Sequence, residues 1–174
     1  ERIHSGAIEL PKEDYRLMIN GLVDRPLGFT YEDLERFPRE NHVYFCECAE
    51  NTGMEWAGAH LNGAQFTHGM IHNMEYTGIP LRVLLNEAGL KPEGSWIFVE
   101  GADASSNGRS IPIEKALDDV FVAFKANGEA LRKEHGYPVR LVVPGWEGNM
   151  WVKWLRRVEV TDQPIESREE TSKY

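Results

Sequence analysis

The chain has 174 residues, of which 41% are hydrophobic and 27% are charged, and its formal net charge is −9. This composition is typical of one globular domain and excludes a disordered or fibrous chain. The acidic balance argues against a nucleic-acid binder, because neutralising phosphates requires a surplus of Lys and Arg. We therefore expect a single domain over residues 1–174 that binds no nucleic acid.

The hydrophobic runs are short. The stretch "VRLVVPGW" at residues 139–146 is far below the roughly 20 residues that a membrane-spanning helix needs. No basic stretch followed by an apolar one marks a signal peptide. The chain begins at Glu1 rather than Met, so we expect a piece of a longer protein that has no membrane span of its own.

Strands and short helices follow one another without a strict βαβ rhythm, which predicts an α+β fold with mixed or antiparallel sheets. Strands are predicted at residues 15–23, 42–48, 95–103, 137–146 and 152–160, with a hairpin over 120–131 that turns at Asn127-Gly128. Helical segments are predicted at residues 80–90 and 111–119. The last dozen residues have the composition of a linker.

The two cysteines of the chain lie two residues apart in "FCECAENTGMEW", residues 45–56. On a strand, Cys46 and Cys48 would share a face with Cα atoms roughly 6.5 to 7 Å apart, so a disulfide between them would be strained. A structural zinc site would need a second pair of ligands. Cys46 is predicted to be a packed thiol. Cys48 begins a polar loop, where a thiolate could bind a soft transition metal.

Histidines are the other candidate metal ligands. His68 and His72 have the i,i+4 spacing of a helical pair, but Gly69 between them weakens the helix. We expect both to lie in a loop or to line a pocket. The residues alone thus predict an α+β domain with a candidate metal site at Cys48.

Longer segments resemble a known family. They include "ECAENTGMEW", "FVEGADASSNGRSIPIEKAL" and "NGEALRKEHGYPVRLVVPGWEGNMWVKWLRR". Along nearly its whole length the chain resembles the molybdopterin domain of the sulfite oxidase family. The resemblance implies that family's fold, a molybdenum-molybdopterin cofactor and an oxidoreductase that acts on sulfur. The family's Cys-Ala-x-Asn loop matches Cys48-Ala49-Glu50-Asn51, which implies that Cys48 binds the molybdenum.

The resemblance also implies the other site residues. The cofactor-binding set is Arg2, His4, Cys48, Asp103, His135, Arg140, Trp151, Val152 and Lys153. Trp151 and Val152 would contribute main-chain groups, and the cations would hold the phosphate of the pterin. Beside Cys48, Arg2 and Tyr174 are implied to take part in catalysis as the electrostatic and proton-handling groups.

One departure from the family bears on the substrate. Sulfite oxidases continue the cysteine loop as Asn-Arg-Arg, whereas this chain has Asn51-Thr52-Gly53. The missing cation at Gly53 argues against free sulfite. The loop instead resembles the molybdenum subunits of bacterial sulfane dehydrogenases (the SoxC type), whose sulfane substrate is held on a sulfur-carrier protein.

That closer resemblance implies a c-type cytochrome as electron acceptor, a periplasmic location, and a homodimer formed by a C-terminal domain that this chain lacks. Two alternatives stay open at this point. The domain could oxidise sulfite or reduce a sulfoxide, as other members of the superfamily do. It could also be an interaction fragment that binds no cofactor.

Overall fold

The computed structural model describes residues 6–58 and 63–172. The strands in this part of the chain are β1 Arg16–Gly21, β2 Leu27–Thr30, β3 Glu40–Glu47, β4 Ile71–Pro80, β5 Trp96–Gly101, β6 Gly108–Pro112, β7 Phe121–Ala126, β8 Glu129–Ala130, β9 Arg140–Val142 and β10 Leu155–Thr161. The α-helices are α1 Tyr31–Glu35, α2 Ala64–His68, α3 Leu81–Ala88, α4 Ile113–Asp118 and α5 Arg168–Thr171. Short 3₁₀ turns lie at Gly53–Ala57, Lys133–His135 and Gly148–Met150.

The strands form two sheets. The first has the order β2-β1-β10-β5-β6, in which β1 runs parallel to β10 and the other neighbours are antiparallel. The second has the order β3-β4-β7-β8, with β9 also paired to β7, and its strands are antiparallel. The fold is therefore α+β with one mixed and one antiparallel sheet, as the sequence predicted.

The burial pattern of the strands shows how the two sheets enclose the core. In β1, Leu17 and Ile19 are fully buried while Arg16 and Met18 are exposed, the period of two expected of a sheet with one covered face. In β7 the consecutive residues 121–124 are all buried. The central strand of the second sheet is thus covered on both faces.

Helix α3 confirms the predicted amphipathic segment. Its four inward residues, Leu81, Leu84, Leu85 and Ala88, are each 0% exposed. The helix ends at Gly89, whose φ of 76° lies in the left-handed region that glycine enters without steric cost. The predicted hairpin also forms, since β7 and β8 are joined by Asn127-Gly128 with φ angles of 51° and 79°.

Two strand predictions need correction. No strand was predicted between residues 49 and 79, but residues 71–80 form β4, of which residues 71–78 pair with the whole of β3. Its first half alternates half-buried with exposed positions and carries polar residues on both faces, so the hydrophobic pattern is weak. The strand predicted at 137–146 is shorter, and only β9 at Arg140–Val142 pairs with a neighbour.

The prediction of a C-terminal linker is also wrong. Helix α5 and the residues before it lie against β6, where Ser167 Oγ donates to the carbonyl of Gly108 at 2.8 Å. The Glu170 carboxylate accepts from the main-chain N–H of Ser110 at 2.5 Å. This segment is attached by hydrogen bonds from polar side chains to main-chain groups, and a hydropathy pattern does not indicate such bonds. The polar composition therefore suggested a linker.

Replacing Ser167 with alanine tests this attachment. We expect Ser167→Ala to lower the free energy of unfolding by about 0.5–1.5 kcal/mol, because one hydrogen bond to the Gly108 carbonyl is lost. Ser172→Ala is the matched control, since the Ser172 hydroxyl donates to the carbonyl of Arg168, a local bond at the end of α5. Urea denaturation of the three proteins measures the difference. Equal stability for the two variants would contradict a specific role for Ser167.

Tyr15 makes the stability of the fold depend on alkaline pH. Its side chain is 0% exposed, its hydroxyl donates to the carbonyl of Leu155 at 2.5 Å, and burial raises the pKa of the phenol well above its ordinary value of 10.0. The unfolded chain loses this proton at about its ordinary pKa, while the folded chain holds it to higher pH. The contribution of Tyr15 is therefore complete below about pH 10 and is lost as the pH rises toward the folded pKa.

We therefore expect the stability of the wild-type protein to fall above pH 10 more steeply than that of Tyr15→Phe, by up to about 1.4 kcal/mol per pH unit. The phenylalanine variant will be less stable at neutral pH, because the bond to Leu155 is lost. Unfolding free energies from pH 8 to 11 measure both effects. Parallel curves for the two proteins would show that the Tyr15 proton plays no part.

Candidate functional site

A cavity of about 670 Å³ opens between the ends of the two sheets, a size typical of small-molecule and cofactor sites. Segments from both sheets build its wall. It is lined by Cys46, Cys48, Ala49 and Glu50 at the end of β3; by Gly69 and Met70 before β4 and Ile71, His72 and Met74 within it; by Asp103, Asn107 and Arg109 from the β5–β6 region; and by His135, Gly148, Asn149, Trp151, Lys153 and Trp154.

Cys46 and Cys48 both line this cavity and neither is in a disulfide, as the sequence predicted. Cys46 is 7% exposed and lies within β3, so it is the packed thiol that the sequence predicted. Cys48 follows the last residue of β3 and is half-buried. Of the two, Cys48 is the thiol that is accessible to a metal in the cavity.

The loop that carries Cys48 is closed at its base by main-chain and side-chain hydrogen bonds. The N–H of Cys48 donates to the carbonyl of Met70 at 2.9 Å, and the N–H of Asn51 donates to the carbonyl of Cys48 at 2.9 Å. The Asn51 side chain donates to Glu47 Oε1 at 2.8 Å and accepts from the N–H of Met70 at 3.1 Å. These bonds hold the thiol of Cys48 at the end of β3.

Two further residues of the predicted cofactor-binding set, Lys153 and His135, line the cavity. Lys153 Nζ donates to the carbonyl of Glu134 at 3.1 Å and lies over the Trp154 ring, 5.0 Å from its centroid. The His135 ring is parallel to that of His72, with 6.5 Å between centroids. The aromatic and main-chain contacts orient both side chains along the cavity wall.

Asp103 supplies the predicted acidic group. Its side chain is 6% exposed and accepts from the N–H of Asn107 at 3.3 Å and from the Ser105 hydroxyl. The carboxylate also lines the cavity. A carboxylate fixed in this way can accept hydrogen bonds from the amide-like edge of a ligand.

Arg140 and Val152 differ from the other predicted site residues, because neither lines the cavity. Arg140 is 2% exposed; its Nη2 donates to the carbonyl of Trp151 at 3.1 Å and its guanidinium lies over the Trp151 ring at 5.8 Å. Val152 is fully buried. Arg140 therefore supports the cavity wall from behind, through Trp151. The predicted residues Arg2, His4 and Tyr174 lie outside the described residues.

The prediction that His68 and His72 lie in a loop or line a pocket holds for His72 and is wrong for His68. Helix α2 ends at His68 and His72 lies in β4, so the two do not share a helix. His72 lines the cavity and its Nε2 is hydrogen-bonded to the hydroxyl of Tyr76 at 3.0 Å. His68 is half-exposed and does not line the cavity, and its Nε2 lies 3.5 Å from Glu55 Oε1.

The sequence prediction missed Arg109. This residue is only 2% exposed and lines the cavity from β6. In β6 it is two residues before Ile111, which is fully buried, and it pairs with Val99, also fully buried. An arginine two residues before an isoleucine, on the same face of a strand, was the available signal, because buried charges are rare unless they are paired or functional.

The sequence matches the family described as oxidoreductase molybdopterin binding domain over residues 4–169. The chain belongs to this family. The match covers all but the two ends of the chain, and the family description agrees with the cofactor and the fold that the sequence resemblance implied.

Individual relatives of this molybdopterin-binding domain fall into two ranges of identity. The sulfane dehydrogenase SoxCD of Paracoccus pantotrophus has a chain 74% identical to this one, with a TM-score of 0.97 over 100% of this chain and 45% of its own. An NADH nitrate reductase of Solanum lycopersicum is 34% identical over 95% of this chain and 20% of its own length. The mitochondrial sulfite oxidase of Drosophila melanogaster is 34% identical over 93% and 30%. This chain thus spans less than half of each of these proteins.

The residues of the cavity fit the family's cofactor. A molybdopterin has a phosphate and amide-like edges, and the wall offers the cations Lys153 and Arg109 and the carboxylate of Asp103. The thiolate of Cys48 is a soft ligand suited to a transition metal. Within residues 6–58 and 63–172, no group of three or more His, Cys, Asp or Glu side chains is arranged to hold a metal ion. The one accessible thiol is therefore the candidate protein ligand.

The described helices are all short. The longest, α3, has eight residues, and none in the described part of the chain has the length and hydropathy of a membrane-spanning segment.

Proposed function

We propose that this chain is the molybdenum-binding catalytic domain of a sulfane dehydrogenase, which oxidises a sulfane sulfur bound to a carrier protein during thiosulfate oxidation. The observation that carries the proposal is the 74% identity to the SoxCD chain over the whole of this chain. The sulfite oxidase and nitrate reductase relatives are only 34% identical. This difference in sequence identity favours a sulfane as the substrate over sulfite or nitrate.

The reaction adds oxygen to a sulfur atom. In each step one water molecule supplies the oxygen, two protons are released and the sulfur loses two electrons, which leave one at a time to a c-type cytochrome. The bound molybdenum cofactor supplies the two-electron redox chemistry. Cys48 is the proposed metal ligand, and Asp103, His135, Lys153 and the main chain of Trp151 bind and orient the pterin.

The remaining predicted residues keep their proposed roles. Arg140 would support the phosphate side of the cavity through Trp151, and Val152 would contribute its main chain. Arg2 and His4 would bind the cofactor, while Arg2 and Tyr174 would act electrostatically and in proton handling at the reacting sulfur. A multi-subunit assembly, a periplasmic location and, for the full-length protein, a homodimer are part of the same proposal, as the family resemblance of the sequence implies.

A steady-state assay tests the substrate. Full-length protein loaded with cofactor should reduce cytochrome c with carrier-bound sulfane at a kcat/KM at least about 10-fold above that with free sulfite, since the cysteine loop offers sulfite no arginine. Molybdenum content is measured on the same samples. Rapid turnover of sulfite alone would make sulfite oxidation the function, a reading that the Drosophila relative favours. If the purified protein contains no molybdenum, the remaining explanation is an interaction module that binds no cofactor.

A further inference from the structure

Trp154 has no role among the predicted site residues, although it lines the cavity and is only 2% exposed. Its φ is 51°, in the left-handed region that a bulky residue enters only at a steric cost. Strain of this kind persists only where the surrounding structure holds it, and it is concentrated at functional sites. The backbone conformation of Trp154 therefore calls for a reason.

The left-handed backbone brings the side chains of two consecutive residues together. In an extended chain, successive side chains point in opposite directions, yet Lys153 Nζ lies 5.0 Å from the centroid of the Trp154 ring. The carbonyl of Trp154 accepts from the N–H of Ala102 at 2.8 Å, and the N–H of Leu155 donates to the carbonyl of Val139 at 2.9 Å. These bonds to neighbouring segments hold the backbone in the conformation that places the indole ring against the ammonium group of Lys153.

The indole N–H of Trp154 holds the segment that makes the second contact with Lys153. Trp154 Nε1 donates to the carbonyl of Lys133 at 3.0 Å. The next carbonyl, that of Glu134, accepts from Lys153 Nζ at 3.1 Å. Both carbonyls belong to the 3₁₀ turn Lys133–His135. Trp154 thus contacts the ammonium group directly through its ring and also holds the turn to which that group is hydrogen-bonded.

The same turn packs closely against Lys153. The turn ends at Gly136, where a Cβ would lie 2.9 Å from the Cβ of Lys153 and 3.1 Å from the main-chain nitrogen of Trp154. The φ of Gly136 is 100°, a conformation that side chains rarely allow. A glycine at this position therefore lets the turn approach closely enough for the Glu134 carbonyl to bind Lys153.

We propose that Trp154 is a positioning residue that orients the charge of Lys153 for binding the phosphate of the molybdopterin cofactor. A lysine side chain has a flexible four-carbon stem, and ordering it lowers the conformational entropy. The ring and the turn order Lys153 before the cofactor binds, so less entropy is lost on binding. The inference rests on the role that the proposed function gives to Lys153.

A purely structural role is the rival explanation, because Trp154 is buried and its replacement will also destabilise the fold. Trp96→Phe is the matched control. Trp96 is half-buried at the start of β5 and does not line the large cavity. If Trp154 serves only to pack the interior, Trp154→Phe should lower stability as Trp96→Phe does and should retain the cofactor like the wild type.

The test measures how fast full-length, cofactor-loaded protein loses molybdenum and pterin during dialysis, with urea denaturation as the parallel measure of stability. Trp154→Phe removes the bond to Lys133 and keeps an aromatic ring, so the half-life of the cofactor complex should fall by about 3- to 10-fold. Trp154→Leu also removes the ring and should lower the half-life by about 10- to 50-fold. Trp96→Phe should lose stability and retain the cofactor.

A double-mutant cycle with Lys153→Met decides whether Trp154 acts through Lys153. In protein that already carries Lys153→Met, Trp154→Phe should shorten the half-life by less than about 2-fold further, because the ammonium group that it orients is gone. An equal fold-change in the presence and absence of Lys153→Met would overturn the proposal. Wild-type retention of the cofactor by both Trp154 variants would also overturn it. If Trp154→Leu does not fold, the cycle with Trp154→Phe gives the decision.

Retention of the cofactor does not depend on the substrate. A protein in which the cycle gives the expected result, but which does not oxidise carrier-bound sulfane, would refute the proposed function and leave the positioning role of Trp154 standing.

Discussion

Protein carrying Cys48→Ser should oxidise its sulfur substrate at least about 100-fold more slowly than the wild type. Replacing a residue that merely hydrogen-bonds a metal ligand already lowers metal affinity or activity by about 10- to 100-fold, and replacing the ligand itself should lower activity further. A serine hydroxyl is a harder and far less acidic ligand than a thiol, so it is a poor replacement at a soft metal. The absorption band from the thiolate to the metal should also disappear. Turnover by cytochrome c reduction and visible absorption spectra measure the two effects.

Cys46→Ser is the matched control, since the two thiols line one cavity and are two residues apart. Cys46 is 7% exposed and packed on β3, so its replacement should lower stability while absorption and turnover stay within about 3-fold of the wild type. If Cys46→Ser rather than Cys48→Ser abolished the absorption band, the assignment of the metal ligand would be wrong. Equal activity in all three proteins would exclude a thiolate ligand altogether.

Lys153→Met should weaken cofactor binding by about 10- to 100-fold, because one charge-assisted hydrogen bond to a phosphate is removed. Methionine keeps much of the apolar stem that lies over Trp154. Lys153 Nζ is held by the carbonyl of Glu134, so the charge is oriented before the ligand arrives. Molybdenum and pterin content after extended dialysis measures the loss.

Lys125→Met is the control for a change of charge alone. Lys125 lies on β7, pairs with Ala130 and does not line the cavity. The Lys125→Met protein should retain the cofactor as well as the wild type does. If both lysine variants lost cofactor equally, net charge rather than contact at Lys153 would explain the effect.

Much of the fold could be predicted because its hydrophobic pattern is strong. The strands near residues 16–21 and 96–101, helix α3 and the turn at Asn127-Gly128 all follow from residue type and spacing. Strand β4 could not be predicted in this way, because its first half carries polar residues on both faces and its partner β3 is distant in the sequence. Long-range pairing decides such segments more than local propensity does.

The candidate site, like the fold, could be predicted from the sequence only in part. Spacing and strand position distinguished Cys48 from Cys46, and the resemblance to the sulfite oxidase family implied residues of which Asp103, His135, Trp151 and Lys153 line one cavity. Neither approach identified Arg109, which lines the cavity because β6 brings it beside Asn149. The approach of segments this distant in sequence is a property of the tertiary structure.

The most direct test of the proposed function is the fate of oxygen from water. Full-length, cofactor-loaded protein is incubated with carrier-bound sulfane and oxidised cytochrome c in ¹⁸O-labelled water, and the carrier is examined by mass spectrometry. We predict that the carrier-bound sulfur gains labelled oxygen while the cytochrome is reduced. A carrier of unchanged mass, alongside labelled sulfate formed from free sulfite, would contradict the assignment to sulfane oxidation.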